Sequence, residues 1–207
     1  TGNPRIDILK KKYHDYYKEN SKKIRNRFGK NILFTTKFNR TNNLAGRPWM
    51  KIMKERSVID TKEKENHQFR STQIQEKNFP FFLKLIETVS KKHNDYSIII
   101  RPHPNEDKKI YFELEKKFKN INVCTDHQST NNYIYATDCL ISSNCATLIE
   151  SYILEKPSIN YLPIKDEDYE FKPTSILSKA IRNEKDVLDL LDHKPFNFQN
   201  KNSDDLN

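Results

Sequence analysis

The sequence predicts an α/β domain built on a Rossmann-like parallel sheet flanked by helices. Two observations carry that prediction. From residue 96 onward short apolar segments alternate with amphipathic ones: strand 96–101, helix 106–118, strand 121–125, helix 129–136, strand 138–142, helix 146–154, strand 157–161. The strand segments are also continuous apolar runs (III at 98–100 with its neighbours, CLIS, SINY) without the alternation of a half-exposed strand. Strands buried on both faces read that way, and strands alternating with helices imply right-handed βαβ units and parallel pairing.

The elements before residue 96 follow from local pattern. Residues 8–28 place Ile8, Leu9, Tyr13, Tyr16, Tyr17, Ile24 and Phe28 among charges, with Gly29 as the stop, which predicts an amphipathic helix. Residues 31–36 (NILFTT) predict the first strand, and the polar stretch 37–47 with Gly46 before Pro48 predicts a loop. A helix is expected over 48–56 and a polar excursion over 57–71. A further helix is expected over 72–92, with Pro80 kinking or dividing it. Beyond Pro163 the chain turns acidic (KDEDYE), gives one more helix at 184–192, and ends in a polar tail. The organisation expected is a leading segment and linking helix at 1–30, a Rossmann-like domain at 31–193, and a flexible polar tail at 194–207.

Composition bounds the function. The chain has 207 residues, begins with Thr, and reads as a piece of a longer protein. It contains no run of 18 apolar residues, so no membrane-spanning helix is expected. Cys124, Cys139 and Cys145 are odd in number and lack C-x-x-C spacing, which argues against a disulfide framework or zinc site and for a reducing compartment. The net charge of +9 could serve nucleic acid, anionic lipid or a phosphorylated substrate. The lysines are scattered and interleaved with acids, and no nucleic-acid-binding pattern accompanies them. Solvation explains most of the excess; an anionic membrane face or substrate remains open, and nucleic acid is not expected.

In an open parallel sheet, ligands sit outside the carboxyl ends of the strands. Segments 36–43, 101–105, 125–129 and 142–147 occupy that edge. In IIIRPHPNED the two prolines hold His103 on a stiff, non-helical turn. His103 either bonds a neighbouring backbone or meets a phosphate as donor, acid or base. Arg101 can clamp a phosphate bidentately or pair with Glu106 or Asp107. In Ser142-Ser143-Asn144-Cys145-Ala146-Thr147, small and hydroxylic residues lead into a helix whose free N–H groups could meet an anion. Thr147 and Glu150 equally fit a capping box, and Glu150 could reach a sugar hydroxyl. Asp166 to Asp168 has metal-like spacing but sits in an open charge cluster, so solvation is its expected role. Trp49 and the tyrosines of the first helix are read as packing.

As a set, TGNPRIDIL (1–9), ILFTTKFNRTN (32–42), IIIRPHPNED (98–107) and ATDCLISSNCATLIESYILEKPSINYLP (136–163) resemble the C-terminal half of bacterial surface-carbohydrate biosynthesis proteins. These are GT-B glycosyltransferases akin to the retaining β-Kdo transferases of capsule and lipopolysaccharide. The same skeleton is shared more loosely with polyol-phosphate transferases of teichoic acid synthesis. The resemblance implies a donor-binding domain for a nucleotide-sugar, CMP-linked as in CMP-Kdo, without a metal or other cofactor. The acceptor would be a glycan or glycolipid, and the protein cytoplasmic, including the inner face of the plasma membrane.

By the same resemblance Ser143, Asn144, Cys145 and Thr147 line the donor phosphate, and Glu150 contacts the nucleotide ribose. Lys37, Asn39 and Asn42 form the first donor loop, and Arg101 and His103 face the cleft. Asp7 would be the catalytic carboxylate attacking the anomeric carbon, its alternative being a helix N-cap. Ala146 stands where the family more often has Thr, and Glu155 where it often has Gly. Two further readings stay open: a CDP-glycerol-type polyol-phosphate transferase, and a non-catalytic scaffold that kept the fold.

Overall fold

The computed structural model describes residues 4–166, 169–178 and 180–196. Its elements in order are α1 (Pro4–Asp7), a 3-10 turn at Lys11–Tyr13, α2 (Asp15–Phe28), β1 (Asn31–Thr35), α3 (Trp49–Glu55) and α4 (Lys62–Lys92). There follow β2 (Ser97–Arg101), α5 (Lys109–Lys117), β3 (Ile121–Val123), α6 (Thr130–Ala136) and β4 (Cys139–Ser142). Then come α7 (Thr147–Ile153), β5 (Ser158–Tyr161), α8 (Lys172–Leu177), β6 (Ala180–Ile181) and α9 (Glu184–Asp192). The polar tail expected at 194–207 lies mostly outside the described residues.

All pairings in the six-stranded sheet are parallel, in the order β3-β2-β1-β4-β5-β6. This is the doubly wound arrangement, with the order reversing between β1 and β4. Both faces are covered, which explains the unbroken apolar strands. Ile32, Phe34, Ile98, Ile100 and Ile141 meet Phe82, Leu85, Ile86 and Val89 of α4, with Tyr111 of α5 and Val187 and Leu191 of α9. The alternate residues Leu33, Ile99 and Leu140 meet Tyr17, Ile24 and Phe28 of α2, Tyr133 and Ile134 of α6, and Leu148 of α7. Burial of each such side chain stabilises by roughly 1.5–3 kcal/mol. Residues 9–28 thus belong to the body of the domain, because Leu9, Tyr17, Ile24 and Phe28 complete one of its two apolar layers.

Several local expectations are corrected. The excursion expected at 57–71 is helical from residue 62, and α4 runs through Pro80 without division. Thr61 starts it early: its side chain accepts from the Lys64 N–H. Pro80 and Glu76 both lie on the solvent face, so water can satisfy the carbonyl that Pro80 cannot. The helix expected over 8–28 begins at Asp15, since Leu9 turns into the core and a 3-10 turn intervenes. The helix expected over 106–118 begins at Lys109, because Glu106 is withdrawn from the surface. Asp166 is not solvated in a charge cluster: its side chain is 8% exposed, pairs with Arg70 at 2.9 Å, and accepts from the Tyr169 N–H. Asp168 lies outside the described residues.

Candidate functional site

The order reversal puts the carboxyl ends of β1 and β4 side by side, and the crevice outside such a switch point is where doubly wound sheets hold ligands. Hydroxyls knit the two strand ends together. Thr35 Oγ1 donates to Ser142 Oγ (2.9 Å) and lies 2.8 Å from Thr147 Oγ1. Ser142 Oγ in turn donates to the Thr35 carbonyl (3.0 Å). These hydroxyls are committed to each other.

The capping box expected at Thr147 and Glu150 is therefore absent. Ala146 is the N-cap, no side chain caps α7, and the Thr147 hydroxyl turns to Thr35 instead. The N–H groups of Leu148 and Ile149, expected to be free for an anion, close onto the carbonyls of Cys145 and Ala146. Glu150 is 2% exposed and near enough to Tyr17 to raise its phenol pKa, after the larger effect of burial. The ribose contact implied by resemblance finds no exposed carboxylate there. Ser143 is buried, and Cys145 is half-buried.

Asn144 is tied into the fold while it lines the large cleft described below. It takes a left-handed backbone (φ 50°). Its N–H donates to Asn160 Oδ1 (3.0 Å) and its Nδ2 to the Tyr169 carbonyl (2.8 Å). Its Oδ1 accepts from the Phe171 N–H (2.7 Å). One side chain thus ties the turn after β4 to the segment leading into α8.

Arg101 is likewise spent. Its guanidinium donates to Asp126 Oδ1 (2.8 Å) and to the carbonyls of Cys124, Asp126 and Gln128, and it lies 4.5 Å from the Tyr133 ring centroid. Neither the phosphate clamp nor the pairing with Glu106 or Asp107 holds, because the β3–α6 loop wraps it first. Asn42 Nδ2 donates to the Asp107 carbonyl (2.8 Å) and holds two loops together. Asn39 is half-buried on the same loop.

Lys37 and His103 stand together at the edge. Lys37 Nζ donates to the Asn144 carbonyl (3.3 Å) and lines a cleft of about 850 Å³. Arg40, His67, Arg70 and Lys172 also line it, against Glu63 and Glu170. His103 is half-buried outside that lining; burial, then the charge of Lys37 and of Lys108, hold its pKa below the ordinary imidazole value. Its Nδ1 accepts from the Asn105 N–H (3.2 Å), which leaves the proton on Nε2. At neutral pH His103 is thus an uncharged donor, and Nε2 meets no partner among the described residues.

Sequence reasoning missed two residues here. Arg40 is the first: burial depresses its pKa, and its Nη1 has no hydrogen-bond partner among the described residues. It sits 6.0 Å from the Trp49 ring centroid and lines both the large cleft and a second depression of about 430 Å³. A buried guanidinium N–H without a partner is costly, and the residue that carries it also lines the cleft. The second is Glu106, fully buried and bonded to Thr36, Phe38 and Tyr111. The signal was there: an acid directly after a rigid RPHP turn.

Asp7 is not brought to this edge. It is the last residue of α1, not an N-cap, and pairs with Lys10 at 2.7 Å. It lines a separate depression with Pro4, Ile8, Tyr13 and Tyr16. Among the described residues no group of three or more His, Cys, Asp or Glu could hold a metal ion, and no helix is long and apolar enough to cross a membrane.

Strand order, switch point and basic cleft define a doubly wound α/β domain with an anion-ready edge. The chain belongs to the CDP-glycerol:poly(glycerophosphate) glycerophosphotransferase family, whose model matches residues 1–178. That family is one of transferases, the class that the resemblance implied; transfer of Kdo in particular is not borne out, and the family's description matches the polyol-phosphate alternative. Solved structures of the wall teichoic acid polymerase TagF are similar in fold. One, a variant soaked with CDPG, superposes with a TM-score of 0.53 at 15% identity over 93% of this chain and 39% of its own. Another TagF structure gives 0.51 at 15% identity over 93% and 41%. The chain thus spans about two fifths of those proteins, and at such identity the likeness speaks for the fold. No curated protein matches in sequence.

Proposed function

We propose that this chain is the donor-binding part of a polyol-phosphate transferase, taking a CDP-glycerol-type donor and passing its glycerophosphate to a surface-polymer acceptor. The observation that carries the reading is Lys37, which lines the basic cleft with the orphaned Arg40 and also lies close enough to His103 to depress its pKa. The diphosphate of such a donor, esterified at both ends, carries one negative charge on each phosphate, and a site for it needs cations and neutral donors at one edge. Lys37, Arg40 and the Nε2–H of His103 supply both.

In the reaction, an acceptor hydroxyl attacks the glycerol-bearing phosphorus. A new P–O bond forms, the P–O bond to CMP breaks, and the hydroxyl proton leaves as CMP departs. Lys37 and Arg40 would neutralise the charge on the diphosphate. His103 would donate from Nε2 to a phosphate oxygen on which charge grows, a contact worth on the order of 100- to 1,000-fold in rate. No glycosyl–enzyme ester is required, so Asp7 has no necessary chemical role in this reading.

The test is CMP release by the full-length protein, with CDP-glycerol and CMP-Kdo supplied in parallel beside a poly(glycerophosphate) acceptor. Release dependent on CDP-glycerol and acceptor together supports the proposal. Turnover of CMP-Kdo alone would return the chain to glycosyl transfer.

A further inference from the structure

Glu106 is fully buried, yet it is the meeting point of three separate segments. Its Oε1 accepts from the Phe38 N–H at 2.7 Å. Its Oε2 accepts from Thr36 Oγ1 at 2.9 Å and from the Tyr111 hydroxyl at 2.5 Å. Thr36 and Phe38 flank Lys37, so the backbone on both sides of that lysine is referred to one carboxylate. The same residue holds the histidine turn. The Glu106 N–H donates to the His103 carbonyl (2.9 Å), and the His103 N–H donates to Thr36 Oγ1 (3.2 Å), the hydroxyl that itself ends on Glu106. Two backbone bonds complete the seam: Asp107 N–H to the Asn42 carbonyl and Leu44 N–H to the Asn105 carbonyl, both 2.9 Å.

From this arrangement we infer that Glu106 is a positioning residue, a buried carboxylate that fixes the Lys37 loop and the His103 turn in one register. The inference rests on the proposed donor site for its purpose, but not for its geometry. Three donors converge on two oxygens, and only a carboxylate accepts all three without presenting a hydrogen of its own. A buried charge is costly unless every partner is in place. Here two partners lie on either side of Lys37, the third is on α5, and Glu106 itself closes the His103 turn, so loss of the carboxylate loosens the Lys37 loop from that turn rather than merely opening a hole. Burial raises the Glu106 pKa, and the bonds from Tyr111, Phe38 and Thr36 oppose that rise.

The deciding measurement is the titration of His103 in full-length protein carrying 13C-labelled histidine, followed by NMR, with His103→Gln to assign the signal. Lys37 and Lys108 are the charges that face this ring, and burial is the larger cause of its depressed pKa. In Glu106→Gln the amide must present N–H groups to the Thr36 and Tyr111 hydroxyls, the Thr36 bridge to His103 is disturbed, and the turn loosens. The His103 midpoint is then expected to rise toward the ordinary imidazole value, with turnover of CDP-glycerol down at least tenfold. Tyr111→Phe removes a bond that does not lead to His103, and should leave the midpoint where it is.

If Glu106→Gln and Tyr111→Phe both lower the melting temperature and neither moves His103, Glu106 only fills the core and the inference is overturned. Should Glu106→Gln fail to fold, Thr36→Val cuts the same link at its other end; an unmoved midpoint there overturns it equally. Absence of transfer by the wild-type protein would sink the proposed function, while the His103 midpoints would still decide what Glu106 does.

Discussion

The Lys37 ammonium donates to the Asn144 carbonyl across 3.3 Å, joining the loop after β1 to the turn after β4. That bond is long and uses one of three ammonium hydrogens, so Lys37 can turn to a stronger acceptor at little cost. The turn does not need it, because Asn144 is held independently by Asn160, Tyr169 and Phe171. Lys37→Met is therefore expected to change stability by no more than about 0.5 kcal/mol. Calorimetry with CDP-glycerol should show affinity lower by tenfold or more. An unchanged affinity would remove Lys37 from the site.

Arg40 separates binding from stability more sharply. A partly buried guanidinium without a full set of partners weakens the free protein. Arg40→Met should thus hold or raise the melting temperature while weakening nucleotide binding. Arg40→Lys keeps a charge but not the planar fork, and should recover only part of the affinity. A melting temperature that falls by several degrees in both variants would mean that Arg40 is a structural element of the loop.

Asn144→Ala tests the opposite kind of residue. The side chain accepts from Phe171 and donates to Tyr169, and its backbone is in the left-handed region that alanine tolerates poorly. The expected cost is about 2–4 kcal/mol, from unpaired buried groups and strain together. Asn144→Gly loses the same side-chain bonds but avoids the strain, and should be the milder variant. Urea denaturation of both decides; equal and small losses would leave Asn144 with only its place in the cleft lining.

The sheet was legible in the sequence because burial on both faces writes itself as unbroken apolar runs, and III at 98–100 and CLIS fall in β2 and β4. The edge was legible for the same reason: each candidate segment follows a strand. What the side chains do at that edge was not. Arg101 and Arg40 are both arginines near strand ends, yet Arg101 is wrapped by the β3–α6 loop and Arg40 is left with an orphaned N–H. Only the path of loops more than twenty residues away decides between them. The length of α4 was hidden for a different reason. Its first turns are exposed and polar, so no apolar stripe announces them, and the Thr61 cap is a single-residue signal.

Acid should destabilise the fold through His93. It is 3% exposed at the end of α4; burial first, then Lys194 and Lys92, lower its pKa, opposed by Asp192 and Asp95. A histidine held neutral by the fold contributes stability that is full above its unfolded pKa of about 6.5 and is lost as pH falls through the lower folded value. His103 acts in the same direction. The melting temperature is expected to fall as pH drops below about 6.5, and His93→Gln should flatten that slope. A slope unaltered by His93→Gln would place the acid sensitivity elsewhere.

Asp7 distinguishes the two chemistries that the sequence left open. Retaining glycosyl transfer through a carboxylate needs an ester to the sugar, and an amide at that position cannot form it. Phosphoryl transfer from a CDP-linked donor to a hydroxyl needs no such ester. Asp7 is half-exposed, pairs with Lys10, and shares a depression with Tyr13 and Tyr16 rather than with Lys37 and Arg40. The ion pair is solvent-exposed and contributes little. Asp7→Asn in the full-length protein is therefore expected to fold normally and to keep at least half of the wild-type rate of CMP release from CDP-glycerol. Mass spectrometry of the wild type held with donor alone should find no adduct on the peptide containing Asp7. An inactive but folded and nucleotide-binding Asn variant, with a sugar adduct on that peptide, would reinstate the nucleophile and with it a glycosyltransferase.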